Sequence, residues 1–205
     1  MSSNINRQLF DKHLPTKAVE YCFELWKDLG FELKITKKRQ SKYGDYRFDP
    51  KTGTHAISVN HDLNQYAFLL TYIHEVAHLV TKNTHPNYVS PHGKDWKLQF
   101  KKLMLPLLRE DIFPMDVLSP LAQHMKNPKA TSTSDKRLFA ALREYDEHKN
   151  GLLLKEIAIG AKFLFNKKVY TKIEVKRTRS LCQLSNSHKK YLISEAAPVL
   201  LFKHN

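Results

Sequence analysis

The chain has 205 residues, 41% of them hydrophobic, enough to bury a core without disulfide staples. Its formal charge of +14 is uneven: residues 126–205 carry 17 Lys and Arg against 7 Asp and Glu, whereas residues 1–125 carry 17 against 13. That balance points to an acidic partner, nucleic acid first, with a merely solvated basic surface as the plain alternative. Two distant cysteines, Cys22 and Cys182, exclude a CxxC metal clip and a disulfide-built secreted domain, and the apolar runs are too short for a signal peptide or a membrane span. The expectation is a soluble, cytoplasmic protein that is not secreted, associated with nucleoid or nucleus if it is directed at DNA.

In chain order, TKAVEYCFELWKDL at 16–29 predicts an amphipathic helix with Val19, Cys22, Phe23, Trp26 and Leu29 on one face and Gly30 as its stop. FELKI at 31–35 alternates as a half-buried strand does. DYRFDPKTGTHAISVN reads as a hairpin turning at DPKTG. A long helix follows, capped near Asn64 and apolar nearly all round, so it belongs at the centre of the domain. THPNYVSPHG is a loop, and KDWKLQFKKLMLPLL resumes helical spacing through Trp96, Phe100, Leu103 and Leu107. The polar, aperiodic stretch 126–136 reads as a linker. A brief helical patch around Leu138–Tyr145 precedes five strand-like runs, FLF, VYTKIEV, SLCQL, KYLIS and PVLLF. The expected organisation is a core over 1–125, a linker over 126–136 and a basic β-rich domain over 137–205, the last a small β-barrel or sheet.

His74-Glu75-Val76-Ala77-His78 is an HExxH motif inside the predicted central helix. Residues four apart share a helix face, so both imidazoles reach one Zn²⁺. Glu75 stands beside the metal as a general base for water. The bland reading makes these ordinary helix residues, yet burying two histidines and a glutamate unpartnered in so apolar a helix would cost several kcal/mol. A catalytic zinc needs a third protein ligand and an open position. The metzincin positions hold Thr81 and Thr84, which excludes that pattern; Glu110, His85 and Asp95 are candidates, Asp95 also as an orienting group. His92, followed by a glycine and a helix that would fix it, is preferred.

The run IHEVAHL, a loop and then HGKDW, preceded by a hairpin, resembles the SprT-like family, which includes the Spartan-type DNA-dependent proteases. The resemblance covers roughly residues 16–110. It implies an α+β, zincin-like metallopeptidase core, a small antiparallel sheet packed on a central HExxH helix and flanking helices. It implies one zinc per chain on His74, His78 and His92, Glu75 as general base, a protein substrate, and association with DNA, because relatives digest proteins crosslinked to DNA. Bacterial SprT proteins carry a cysteine zinc ribbon after the core. Here Cys182 is the only cysteine of that region, so a packed cluster of Phe163, Phe165, Tyr170, Leu181 and Leu192 is expected in place of the metal, with Cys182 as a buried thiol.

Basic residues mark candidate phosphate contacts: Lys37, Lys38 and Arg39 near the core, and Lys176, Arg177, Arg179, Lys189 and Lys190 in the tail. Binding through phosphates is expected to be sequence-tolerant, since no base-reading motif is evident. Two functions compete. One is a zinc endopeptidase acting on DNA-associated proteins; the other is a nucleic-acid-binding protein whose zinc only holds the fold. The intact Glu75 favours the enzyme, because a structural zinc has no use for a carboxylate that is not a ligand. The group that would stabilise the tetrahedral oxyanion is not legible; Tyr88 and His85 are weak candidates. The sequence is silent on oligomeric state.

Overall fold

Helix α2 (Thr16–Leu29) forms where the apolar spacing predicts it. Gly30 ends it in the left-handed conformation, φ +62°, with its N–H bonded to the Trp26 carbonyl. A helix that no periodicity announced precedes it: α1 (Ser2–His13) buries Phe10, whose ring meets Tyr72 edge-on at 5.5 Å. The computed structural model describes residues 2–39, 42–85, 90–129, 135–146 and 152–202. The chain is α+β and divides into two units, Met1–Asp146 and Glu147–Asn205.

The first unit's sheet has three strands, β1 (Glu32–Thr36), β2 (Gly44–Asp49) and β3 (Thr54–Asn60), in the order β1-β3-β2. β2 and β3 are the expected hairpin. β1, however, runs parallel to β3, so the sheet is mixed rather than antiparallel. The reason is the return path: a parallel neighbour needs a crossover, and the β1–β2 connection supplies one over the end of β3. Buried Asn60 fastens that connection, donating to the carbonyls of Arg39 and Lys42 at 3.2 and 3.0 Å.

Helix α3 (Gln65–Thr84) starts at Asn64, whose Oδ1 accepts from the N–H groups of Tyr66 and Ala67. Its buried residues, among them Phe68, Leu69, Tyr72, Ile73, Val76 and Leu79, point in all directions because sheet and helices cover it. Helix α4 (Lys94–Met104), α5 (Met115–Lys126) and α6 (Lys136–Arg143) complete the layer. Asp135 caps α6, and Leu138 and Leu142 enter the same core. That burial moves the domain boundary: α6 belongs to the first unit, and the division falls after Asp146 rather than at the end of the polar stretch 126–136. Residues 130–134 of that stretch lie outside the described residues.

The second unit is one antiparallel sheet of β4 (Leu152–Leu153), β5 (Lys162–Phe165), β6 (Lys168–Lys176), β7 (Arg179–Leu184), β8 (Lys190–Ser194) and β9 (Pro198–Leu201), in the order β4-β9-β5-β6-β7-β8. With β4 and β8 at its edges it is an open sheet and not a barrel. Its core is Leu154, Ile157, Phe163, Tyr170, Cys182, Ile193 and Val199. Cys182 is the buried free thiol expected. Leu192 is not a core residue: the ladder pairs it with Leu181 on the opposite face from Cys182 and Ile193, and it is 51% exposed. A buried lysine stands in the interior instead. Lys172 donates to the Leu154 carbonyl at 2.7 Å and pairs with Glu195 at 3.3 Å, and Glu195 also accepts from Ser180.

Candidate metal centre

His74 and His78 sit one turn apart on α3, flanked by fully buried Ile73, Val76, Ala77 and Leu79. His92 arrives from the opposite side in the left-handed backbone conformation, φ +60°. That region is uncommon for residues with a Cβ, though histidine is among those enriched there, and an occupied one at a convergence of polar groups is a mark of function. Gly93 follows because it must: a Cβ there would stand 2.9 Å from the Ser90 carbonyl oxygen. The turn it permits starts α4 and brings the His92 ring onto α3.

The three Nε2 atoms form a triangle with sides of 3.1 Å (His74–His92), 3.2 Å (His74–His78) and 3.0 Å (His78–His92). These contacts cannot all be hydrogen bonds. A neutral imidazole Nε2 carries either one proton or one lone pair, so three of them cannot each donate and accept around a ring. The arrangement instead suits three lone pairs aimed at one electron-pair acceptor, and the three residues lie close enough together to hold a metal ion. Burial, with repulsion from the neighbouring histidines, pushes His74 down to about 2 and His78 to about 4; burial lowers His92 as well. All three are therefore neutral at physiological pH, the form in which imidazole binds metals.

Trp96, 1% exposed, forms the floor. Its ring centroid lies 4.6, 5.4 and 4.7 Å from those of His74, His78 and His92, and its far side stacks on Phe100 at 4.9 Å. Its indole N–H is directed at the His74 carbonyl at 3.4 Å. The wall opposite is strand β2, which runs along α3 in register: Gly44 lies against Thr71 and Glu75, Tyr46 against His78, and Phe48 beneath the Lys82 ammonium. Two residues of strand advance about as far as four of helix, which sustains the match.

Glu75, 7% exposed, is pressed against β2. A Cβ at Gly44 would stand 2.6 Å from its Oε1 and 2.8 Å from its Cγ, so only glycine admits the carboxylate there. Burial, reinforced by Asp45, raises Glu75 to about 8, while a bond from the Tyr46 backbone N–H opposes the rise. A carboxyl group poised near neutrality beside three converging imidazoles is equipped to take up and release a proton.

Among the other candidates, Asp95 approaches His85 at 3.9 Å, and neither belongs to the histidine cluster; exposed Glu110 does not either. Tyr88 lies outside the described residues. Of the basic candidates, Arg39 is engaged in the fold: its Nε donates to Asn60 at 2.8 Å and its Nη1 to Ser58 at 3.0 Å. Lys38 pairs with Asp62 at 3.1 Å, and Lys37 is exposed. Lys176, Arg177 and Arg179 surround the β6–β7 turn, whereas Lys189 and Lys190 lie at the β7–β8 turn, the opposite end of β7 and roughly 17 Å away along the strand. They form two exposed groups rather than one.

Sequence reasoning did not find Gly44, Tyr46 or His55, nor the role of Trp96 beyond its place on a helix face. The available signal was a glycine at the start of a strand, which often marks a close backbone approach. No helix among the described residues is long and apolar enough to cross a membrane. Comparisons with protein-family models, curated proteins and solved structures return no match.

Proposed function

We propose that this chain is a zinc-dependent endopeptidase of the SprT-like kind, acting on proteins bound or crosslinked to DNA. The observation that carries the reading is the Nε2 triangle with Glu75 beside it on the same helix. Zn–N distances of 2.0–2.1 Å in a tetrahedral site imply a ligand edge of about 3.3–3.4 Å, close to the triangle's 3.0–3.2 Å sides. Three imidazoles leave one position for water or substrate, the pattern of catalytic rather than structural zinc.

When bound, zinc supplies Lewis-acid chemistry, polarising a carbonyl and making water acidic near neutral pH. Glu75 accepts the proton that water loses as its oxygen bonds to the peptide carbonyl carbon. It then delivers that proton to the amide nitrogen as the C–N bond breaks, which returns it to its starting state. Gly44 and the Tyr46 N–H hold the carboxylate in place, and Trp96 closes the floor to solvent. The DNA-directed part of the reading is supported by the charge of +14 and by exposed Lys176, Arg177, Arg179, Lys189 and Lys190, which suit phosphate contacts.

The test is zinc content together with cleavage of casein, with and without single-stranded DNA, in wild type and Glu75→Gln. One zinc per chain in both proteins, with cleavage only in wild type, is the expected result; stimulation by DNA supports the DNA-directed part. One zinc with no cleavage under any condition removes the enzyme in favour of a nucleic-acid-binding protein with a structural metal.

A further inference from the structure

Tyr46 touches two parts of the site at once. Its backbone N–H donates to Glu75, and its ring lies parallel to that of His78, 5° between planes and 6.4 Å between centroids. The strand register explains the placement. Tyr46 pairs with Ile57 and Phe48 with His55, so these four share one face of the hairpin, and Ile57, fully buried, marks it as the face covered by α3. Tyr46 Oη stands 2.8 Å from His55 Nδ1, and neither side chain is fully buried. Among the described residues, three aromatic side chains besides the histidines themselves make ring contacts with the triad: Tyr46, Trp96 and Phe100. Phe100 has no donor and Trp96 directs its N–H at a carbonyl, so Tyr46 alone among them brings an O–H.

We infer that the Tyr46 hydroxyl donates the hydrogen bond that stabilises the oxyanion of the tetrahedral intermediate, and that His55 is its positioning residue. This rests on the peptidase reading above. The balance of donors requires one tautomer. With its proton on Nδ1, His55 donates to Oη, and the phenolic proton is left to face the substrate. At neutral pH a phenol keeps its proton and an imidazole is mostly uncharged, as this arrangement needs. No proton is transferred by the pair; as the carbonyl π electrons move onto oxygen, the hydrogen bond that the Tyr46 hydroxyl donates to that oxygen strengthens, which is the differential binding that accelerates a reaction.

Tyr46→Phe is a clean probe because it keeps the ring and the backbone N–H to Glu75. Expected are unchanged zinc stoichiometry and affinity, kcat lower by about 10²–10³-fold, the loss typical of one oxyanion donor, and little change in KM. A peptide phosphonamidate, whose tetrahedral anion mimics the intermediate, should lose affinity in parallel, measured calorimetrically on the zinc-loaded protein. An uncleaved ordinary peptide, measured in a Glu75→Gln background, should bind equally with and without the hydroxyl. For His55, alanine should lower kcat and glutamine, which keeps a side-chain donor, should restore part of it. If Tyr46→Phe keeps wild-type kcat and phosphonamidate affinity while Glu75→Gln is inactive, the inference fails and the peptidase reading stands. Loss of zinc in Tyr46→Phe would make Tyr46 structural and also overturn it. If zinc-loaded wild type neither cleaves peptides nor binds the phosphonamidate, reading and inference fall together.

Discussion

Replacing His92 by glycine and by alanine separates the strain of its backbone from the use of its ring. At φ +60° a residue with a Cβ is destabilised by about 1–2 kcal/mol, which glycine escapes. Glycine in turn loses more conformational freedom on folding, by about 0.5–1 kcal/mol. Alanine keeps the strain and, like glycine, loses the ring contact with Trp96 at 4.7 Å. Without metal, His92→Gly should therefore be more stable than His92→Ala by about 1 kcal/mol, or roughly 3 °C in Tm for a chain of this size. Added zinc should leave that difference between the two variants in place. Wild type at a zinc concentration of about 1,000 Kd gains about 4 kcal/mol by linkage, and both variants should lose most of that gain. The assay is thermal unfolding by circular dichroism, with chelator and with added zinc. Equal chelated Tm values would refute the strain argument; a full zinc-dependent rise in His92→Gly would remove His92 from the ligand set.

Two further outcomes follow from particular contacts. Gly44→Ala places a Cβ 2.6–2.8 Å from Glu75 and Thr71 atoms, an overpacking worth about 1–3 kcal/mol. It should leave zinc bound and depress kcat by displacing the carboxylate; zinc analysis beside steady-state kinetics checks this, and unchanged kcat would show that Glu75 need not lie against β2. A chain ending at Asp146 should fold and bind zinc, whereas one ending at residue 125 loses the buried Leu138 and Leu142, each contributing about 2–5 kcal/mol. Equal Tm for the two truncations would refute the placement of α6 in the first unit.

Much of this protein was legible because its information is local. The i, i+4 spacing of His74 and His78, the Asn64 cap, the Gly30 stop and the β2–β3 hairpin depend on residues a few positions apart, and helix and strand geometry fixes their relation wherever the segment lies. The HGKDW run announced His92 as a ligand candidate for the same reason: its glycine and the helix after it are immediate neighbours. Helix α1 escaped notice because its sequence offers only Ile5, Leu9 and Phe10 as apolar positions, too few for a clear period. The boundary was misread because a polar linker and a polar loop inside a unit have the same composition; burial of Leu138 distinguishes them, and burial is not a local property.

The sequence by itself therefore singled out the three histidines that the structure brings together and the glutamate beside His74. Only the tertiary structure decided that β1 runs parallel to β3, that Leu192 faces away from its core, and that Arg39 serves the fold by binding Asn60. It alone brought Gly44, Tyr46 and His55 to α3, because the match of β2 to the helix depends on how far each element advances per residue once they pack. No spacing within either segment encodes that match.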